Sequence, residues 1–372
     1  MIGTIIIFIL ILAILVLAHE AGHFFTARKM GMKVEEFGFG FPPKAKIWKR
    51  KSGLAISLNW LPLGGFVKIK GEDGSHFHDH DSFAHKKAWQ RFIVLVAGVA
   101  MNFVLAAVLL SFGFMVGLPS AIDEYTPSYA KVRDQSLQVM SVVKDSPASR
   151  AGLEMGDKVV SINEKVFDNE EDIREYISVN ADQGVIFKWE KPSGEQVDSV
   201  LVAEDITSID LHGVGVGIVS TGIVSLPVHY AIVHGVTATG VFTYEILRAF
   251  GGIFKSLFAG QGAGAELSGP VGIAVMTGKV AEMGFSYLLQ FTAMLSINLA
   301  ILNILPFPAL DGGRILFLVI EKLRRKTVDQ RTEAIVHNIG FMILMLLVVI
   351  VTLHDVIKFG GGFIEKVSNM VG

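Results

Sequence analysis

The sequence predicts an α-helical polytopic membrane protein with four transmembrane helices, a membrane-associated β region and an inserted extracytoplasmic α+β domain. Three observations predict it. Of 372 residues, 51% are hydrophobic and 18% charged, and mean hydropathy is +0.51. That is too apolar for an ordinary soluble enzyme and suits several spans with a soluble part. Four segments supply the ~20 apolar residues that a bilayer requires. The loops between them run basic, acidic, basic, which sets an orientation. A net charge of −2 offers no cationic excess for nucleic acid, so no nucleic-acid partner is expected. Cysteine is absent, so disulfides and thiolate metal ligands are excluded and any metal must be held by His, Asp or Glu.

Residues 1–30 form the first predicted span. Its apolar run from Ile5 to Ala18 follows no basic segment and is long for a leader, so it is expected to stay as a helix. Residues 31–87 form a cytoplasmic β region and loop. Leu54, Ile56, Leu58 and Trp60 alternate with Ala55, Ser57 and Asn59, and Phe66–Ile69 follows the Gly64-Gly65 break. The stretch is short and apolar, so a sheet lying against the membrane face is expected. Residues 88–118 form the second span, with Gly98, Gly113 and Gly117 for close helix packing. Residues 127–220 form the inserted domain. Residues 228–260 are apolar but carry His229, His234, Glu245, Arg248 and Lys255, as an amphipathic helix at the outer surface would. Residues 285–314 and 335–355 form the third and fourth spans.

Lys44, Lys46, Lys49, Arg50 and Lys51 follow the first span, and Lys322, Arg324, Arg325, Lys326 and Arg331 precede the fourth. Asp168, Glu170, Glu171, Asp172 and Glu175 follow the second. The positive-inside rule therefore puts the N-terminus and the 127–220 domain outside and both basic loops in the cytoplasm.

The first span carries His19-Glu20-Ala21-Gly22-His23. Residues four apart share a helix face, so His19 and His23 reach one Zn²⁺, with Glu20 placed to take a proton from water. Five-residue matches also arise by chance, but ionisable residues inside a membrane helix are costly and usually functional. At 1.5 Å per residue His19 lies about 25 Å into a ~30 Å core, near the cytoplasmic face. A catalytic zinc takes three protein ligands and keeps one position open. Asn303-Ile304-Leu305-Pro306-Phe307-Pro308-Ala309-Leu310-Asp311-Gly312-Gly313-Arg314 follows a span that runs outside to inside, which brings Asp311 to the same depth. Its prolines break the helix, and broken backbone at that depth must be buried in protein or line a water-filled cavity. An Asp that merely ends a helix at the interface is the plainer alternative.

Within the inserted domain, Ser146-Pro147-Ala148, Ala151-Gly152-Leu153 and Gly156-Asp157 before Val159–Ile162 resemble a PDZ domain. PDZ domains bind extended peptide ends by strand addition. On that resemblance Gly215, Val216 and Gly217 belong to a carboxylate-binding loop; a glycine-rich linker strand is the plainer reading.

HExxH in the first span with NxxPxPxLDG in the third resembles the site-2 protease family of intramembrane zinc proteases. The layout is similar to its bacterial RseP-like branch, with one PDZ module. Gly38-Phe39-Gly40, Gly64–Lys68, Trp89–Phe92, Ala97-Gly98 with Asn102, and Ser268–Ile273 also resemble family signatures. Val99 stands where the family usually has proline, and there is room for a single PDZ where many relatives carry two. The resemblance implies that His19, His23 and Asp311 hold Zn²⁺, that Glu20 is the general base, and that Asn303 holds substrate backbone or the oxyanion. It implies single-pass transmembrane substrates, such as an anti-sigma factor trimmed outside or remnant signal peptides. It also implies residence in the bacterial inner membrane, with the active site near the cytoplasmic face. The 54–70 strands would pair with the unwound substrate.

A non-enzymatic PDZ receptor or scaffold with a structural metal is the alternative, but a structural metal has no need of Glu20. A metal carrier would show repeated halves, which this chain lacks. His76, His78, His80 and His85 read as a solvated loop. His337 and His354 read as interfacial, and Glu72 and Asp73 carry no assignable chemistry.

Overall fold

The computed structural model describes residues 2–51, 53–122, 126–206, 211–258, 269–326, 328 and 330–371. In chain order its elements are α1 (Ile2–Lys29), β1 (Val34–Lys49), β2 (Ala55–Ile69), α2 (Ala88–Val116), β3 (Leu118–Ala121), β4 (Lys131–Val142), α3 (Pro147–Arg150), β5 (Lys158–Ile162), α4 (Glu170–Asn180), β6 (Val185–Glu190), β7 (Gln196–Leu201), β8 (Glu204–Ile206), β9 (Leu211–Gly213), β10 (Val216–Ser225), α5 (Val228–Phe258), α6 (Pro270–Met283), α7 (Phe285–Ile304), α8 (Asp311–Arg324) and α9 (Gln330–Val371). They form two compact units, Met1–Ser111 with Ile232–Gly372, and Phe112–Ala231.

Among the described residues, four helical stretches are long and apolar enough to cross a membrane: Gly3–Lys29, Ala88–Val116, Phe285–Ile304 and Thr332–Lys358. Ile5, Ile6 and Leu10 on α1, Val104 and Val108 on α2, and Met342 and Leu346 on α9 are exposed. Large exposed apolar surfaces of this kind suit contact with lipid. α5 is a 31-residue helix outside that set of four. It crosses α2 closely: a Cβ on Gly235 would stand 2.2 Å from Ser111 Oγ. Residues 259 and 260 of the expected 228–260 helix lie outside the described residues, as does Ser268.

Two features of the first unit bear on the site. Within the expected 285–314 segment, helix α7 stops at Ile304, with Leu305 at its C-cap, at the break expected from its prolines. Pro306 and Pro308 supply no N–H, and each disfavours helical backbone in the residue before it. A new helix, α8, restarts at Asp311. The second is α6, a 14-residue helix too short to register as a span and not expected from the sequence. It meets α1 at Gly278, where a Cβ would be 2.7 Å from Thr4 Cγ2. It meets α9 through Gly272, whose N–H donates to buried Asp355 Oδ2 at 2.7 Å.

β1 and β2 both bend, so Ile56 lies between Phe37 and Trp48, and Phe37 between Ile56 and Val67. Residues 65–69 form one edge and residues 44–49 the other. Val34, Val67 and Ile69 of this sheet are buried with Ala27, Met32, Phe83, Val94 and Leu95, with Phe24 and Ile315 packed against them. Burying a side chain of this size contributes about 1.5–3 kcal/mol, and the cluster fixes the 65–69 edge against α1 and α2.

The second unit is α+β. Its six-stranded sheet has the order β3-β10-β4-β5-β6-β7, and β8 pairs with β9. Val185, Phe187 and Trp189 of β6 alternate inward and are fully buried with Val139, Ile162, Ile173 and Leu201. This is the period-2 pattern of a half-buried strand. Ser146 caps α3 by accepting from Ser149 N–H at 3.2 Å.

Candidate metal centre

α1 presents His19 and His23 on one face because they are one helical turn apart. The break after α7 allows α8 to begin at Asp311 beside them. Asp311 Oδ2 is 3.1 Å from His19 Nε2 and 3.3 Å from His23 Nε2, and the two Nε2 atoms are 3.2 Å apart. Among the described residues these three form the one group of His and carboxylate side chains arranged to hold a metal ion.

The donor set fits zinc. Tetrahedral ligands at 2.0–2.1 Å from zinc stand about 3.3 Å from one another. His23 Nδ1 donates to Val94 O at 2.9 Å, which leaves the Nε2 lone pair free, the usual orienting contact of a ligating imidazole. Asp311 Oδ2 is buried and receives no hydrogen bond. The lone pairs of His23 Nε2 and Asp311 Oδ2 therefore face one another across a buried gap, an arrangement that a cation satisfies. His19 Nδ1 has the Asn102 amide at 3.3 Å and the Asn303 amide at 3.5 Å.

Glycine admits this cluster. A Cβ on Gly98 of α2 would stand 2.3 Å from His23 Nε2 and 2.8 Å from His19 Cε1. On α1, a Cβ on Gly22 would stand 2.3 Å from Ala97 O. The two helices approach closely because both glycines are bare. Gly65 brings the edge of β2 to Glu20, its Cβ position lying 3.4 Å from Glu20 Cγ. Of the residues singled out in the sequence, His19, Glu20, His23, Asn303 and Asp311 all lie in this region. Gly215, Val216 and Gly217 lie in the other unit. There Gly215 has φ +75 and its carbonyl accepts from Val143 N–H at 2.9 Å. β10 starts at Val216, and along residues 216–219 no described strand pairs with its second edge.

Other residues of this region were given no role from the sequence. Asn102 is fully buried and touches a proposed ligand 83 residues away. Glu72 pairs with Arg314, and its second oxygen accepts from Ile69 N–H at 3.4 Å. The Glu72 carboxylate raises the Arg314 guanidinium pKa, against the effect of burial. His80 Nδ1 and His85 Nε2 are 2.9 Å apart in an exposed loop, with no third ligand among the described residues.

Comparison with known proteins gives one family. The model described as Peptidase family M50 matches residues 7–347. The chain is 32% identical to the zinc metalloprotease RasP of Geobacillus kaustophilus, covering 96% of this chain and 98% of that protein. It is 32% identical to a putative zinc metalloprotease of Clostridium acetobutylicum, covering 95% of this chain and 97% of that one. Among solved structures, the PDZ domain of an SdrC-like protein from Listeria monocytogenes is 24% identical, covering 24% of this chain and 92% of that one, with a TM-score of 0.21.

Proposed function

We propose, for a chain that belongs to peptidase family M50 and is a bacterial zinc metalloprotease of the site-2 type, that it cuts single-pass transmembrane proteins within the bilayer, in the manner of regulated intramembrane proteolysis. The observation that carries this reading is the clustering of His19, His23 and Asp311, with ligand atoms 3.1–3.3 Å apart, on and beside two membrane-length helices.

In this reading His19, His23 and Asp311 hold zinc, which supplies Lewis-acid polarisation and makes water nucleophilic near neutral pH. Glu20 takes a proton from the attacking water and passes it to the leaving amine nitrogen as the peptide C–N bond breaks. The Asn303 amide donates to the carbonyl oxygen as charge grows on it. A transmembrane helix must unwind before its backbone is open to attack. The 65–69 edge of β2 supports a role in holding it extended, because no described strand pairs with its outer side and Gly65 approaches Glu20. Substrates of this class include anti-sigma factors trimmed outside and remnant signal peptides.

The inserted unit is read as a PDZ module that binds peptide ends at the open edge of β10 beside Gly215, Val216 and Gly217. The charge pattern of the loops supports an inner-membrane protein with this module outside and the zinc near the cytoplasmic face. The test is to measure zinc per chain together with cleavage of a single-pass model substrate. Stoichiometric zinc and cleavage lost on chelation are expected; cleavage without zinc would refute the reading.

A further inference from the structure

His337 is on α9, and the reaction above assigns it no task. Its Nδ1 accepts from the backbone N–H of Ala309 at 2.9 Å, two residues before Asp311. We propose that His337 is a positioning residue for the third ligand, holding the 305–310 turn in the shape that delivers Asp311 to His19 and His23. This rests on the reading of Asp311 as a zinc ligand.

The turn needs an outside partner. Ala309 has φ +81, the left-handed region that a residue with a Cβ adopts at a cost and keeps only when its surroundings impose it. Pro306 and Pro308 have no N–H to give. Phe307 N–H donates to Leu305 O at 2.7 Å and Leu310 N–H to Phe307 O at 3.2 Å. The Ala309 N–H donates across to another helix instead. His337 is the acceptor that rewards the strained conformation.

The surroundings leave the turn no slack. A Cβ on Gly312 would be 2.1 Å from Leu305 O, and one on Gly313 would be 2.4 Å from Phe307 O. A Cβ on Gly340 would be 2.4 Å from Pro308 Cβ. Gly340 is three residues after His337 and so on the same face of α9. That helix therefore grips the turn twice, once by a hydrogen bond and once by close backbone approach.

The contact also specifies a tautomer. A ring nitrogen that accepts a hydrogen bond carries no proton, so the proton of neutral His337 is on Nε2. Glu333 Oε1, one turn earlier on α9, stands 3.9 Å from Nε2, beyond hydrogen-bond reach, and among the described residues the buried Nε2 has no hydrogen-bond partner. What matters at this position is an acceptor at the place of Nδ1.

That requirement separates two conservative substitutions. His337→Asn keeps an acceptor oxygen close to the place of Nδ1. His337→Gln moves its oxygen out to where Nε2 stood. Both variants of the full-length protein should be purified, and zinc affinity measured by chelator competition alongside kcat and KM on a single-pass substrate. The Asn variant should stay within about threefold of wild type in zinc affinity. The Gln variant should lose ~10-fold or more, the range seen when a ligand's orienting partner is removed, with kcat reduced and KM unchanged. Gly at position 309 takes φ +81 freely, so in an Ala309→Gly background the Gln variant should lose less than about threefold. Equal retention or equal loss in the two His337 variants overturns the proposal, as does an undiminished loss in the Ala309→Gly background. If Asp311→Asn binds zinc as tightly as wild type, it is the reading of Asp311 that fails.

Discussion

At Gly98 one methyl group would press directly on a proposed ligand. Its missing Cβ would lie 2.3 Å from His23 Nε2, the atom proposed to bind zinc. Gly98→Ala should therefore weaken zinc binding by ~10- to 100-fold, as misorienting a ligand does, while circular dichroism shows the helices intact. Glu20 makes the opposite prediction. Glu20→Gln leaves all three proposed ligands in place and removes the base. Zinc content should stay at wild-type level while cleavage falls by ~10²- to 10⁴-fold, the usual range for general-base loss. Turnover near wild type would remove Glu20 from the mechanism. The pairing of the two histidines was legible because HExxH places them one helical turn apart, and the proposed role of Glu20 rests on the same five residues. Asn102 was legible only as part of a family signature, and its contact with His19 was not legible.

Among the elements, the junction of β2 with α1 and the start of α8 decide most. Gly65 sets the distance from the β2 edge to Glu20. A Cβ there would meet Val16 Cγ1 at 2.7 Å and Gly38 O at 3.1 Å. Gly65→Val should wedge the edge away from α1, lowering kcat/KM with zinc content unchanged. Full activity in that variant would argue that substrate does not use this edge. Gly312 opens α8 against the carbonyl of Leu305. Gly312→Ala forces the 305–310 turn apart and should cost about 1–3 kcal/mol, the scale of overpacking in a filled site. It should also release zinc in the same protein, since Asp311 is the preceding residue. Thermal unfolding and metal content, measured together, check both parts. The period-2 run of 54–60 predicted strands, and the prolines predicted an interruption after Asn303. Neither predicted α6, a 14-residue helix whose contacts with Thr4 and Asp355 are far from it in sequence.

For the whole molecule, every residue assigned to the zinc and to bond cleavage lies in one of the two units. Replacing Leu118–Leu226 with a flexible linker should therefore leave zinc binding unchanged. Loss of zinc in a variant that still folds would show that the inserted unit supports the centre. Orientation is testable in the same Cys-free background. Ser193→Cys should react with an impermeant thiol reagent added outside intact cells, and Lys326→Cys should react only after the membrane is opened. The reverse pattern would overturn the charge-based topology and, with it, the common depth of His23 and Asp311.

The amino-acid sequence alone determined what local pattern can carry. Four apolar runs long enough for a bilayer, the pairing of His19 with His23 by helical period, and the interruption by Pro306 and Pro308 are properties of neighbours in the chain. Asp311 was reached by an argument about depth, which needs only the order and direction of the spans. The tertiary structure decided everything that joins distant residues. Glu72 meets Arg314 across 242 positions and Asn102 meets His19 across 83. His337 was read from the sequence as an interfacial residue; in the folded chain it accepts the N–H of Ala309. The reason is physical. Periodicity fixes which face of a helix a side chain occupies, but the partner on that face depends on how helices cross. That crossing is set by close approaches such as those at Gly22, Gly98 and Gly340, whose effect exists only once both surfaces are present.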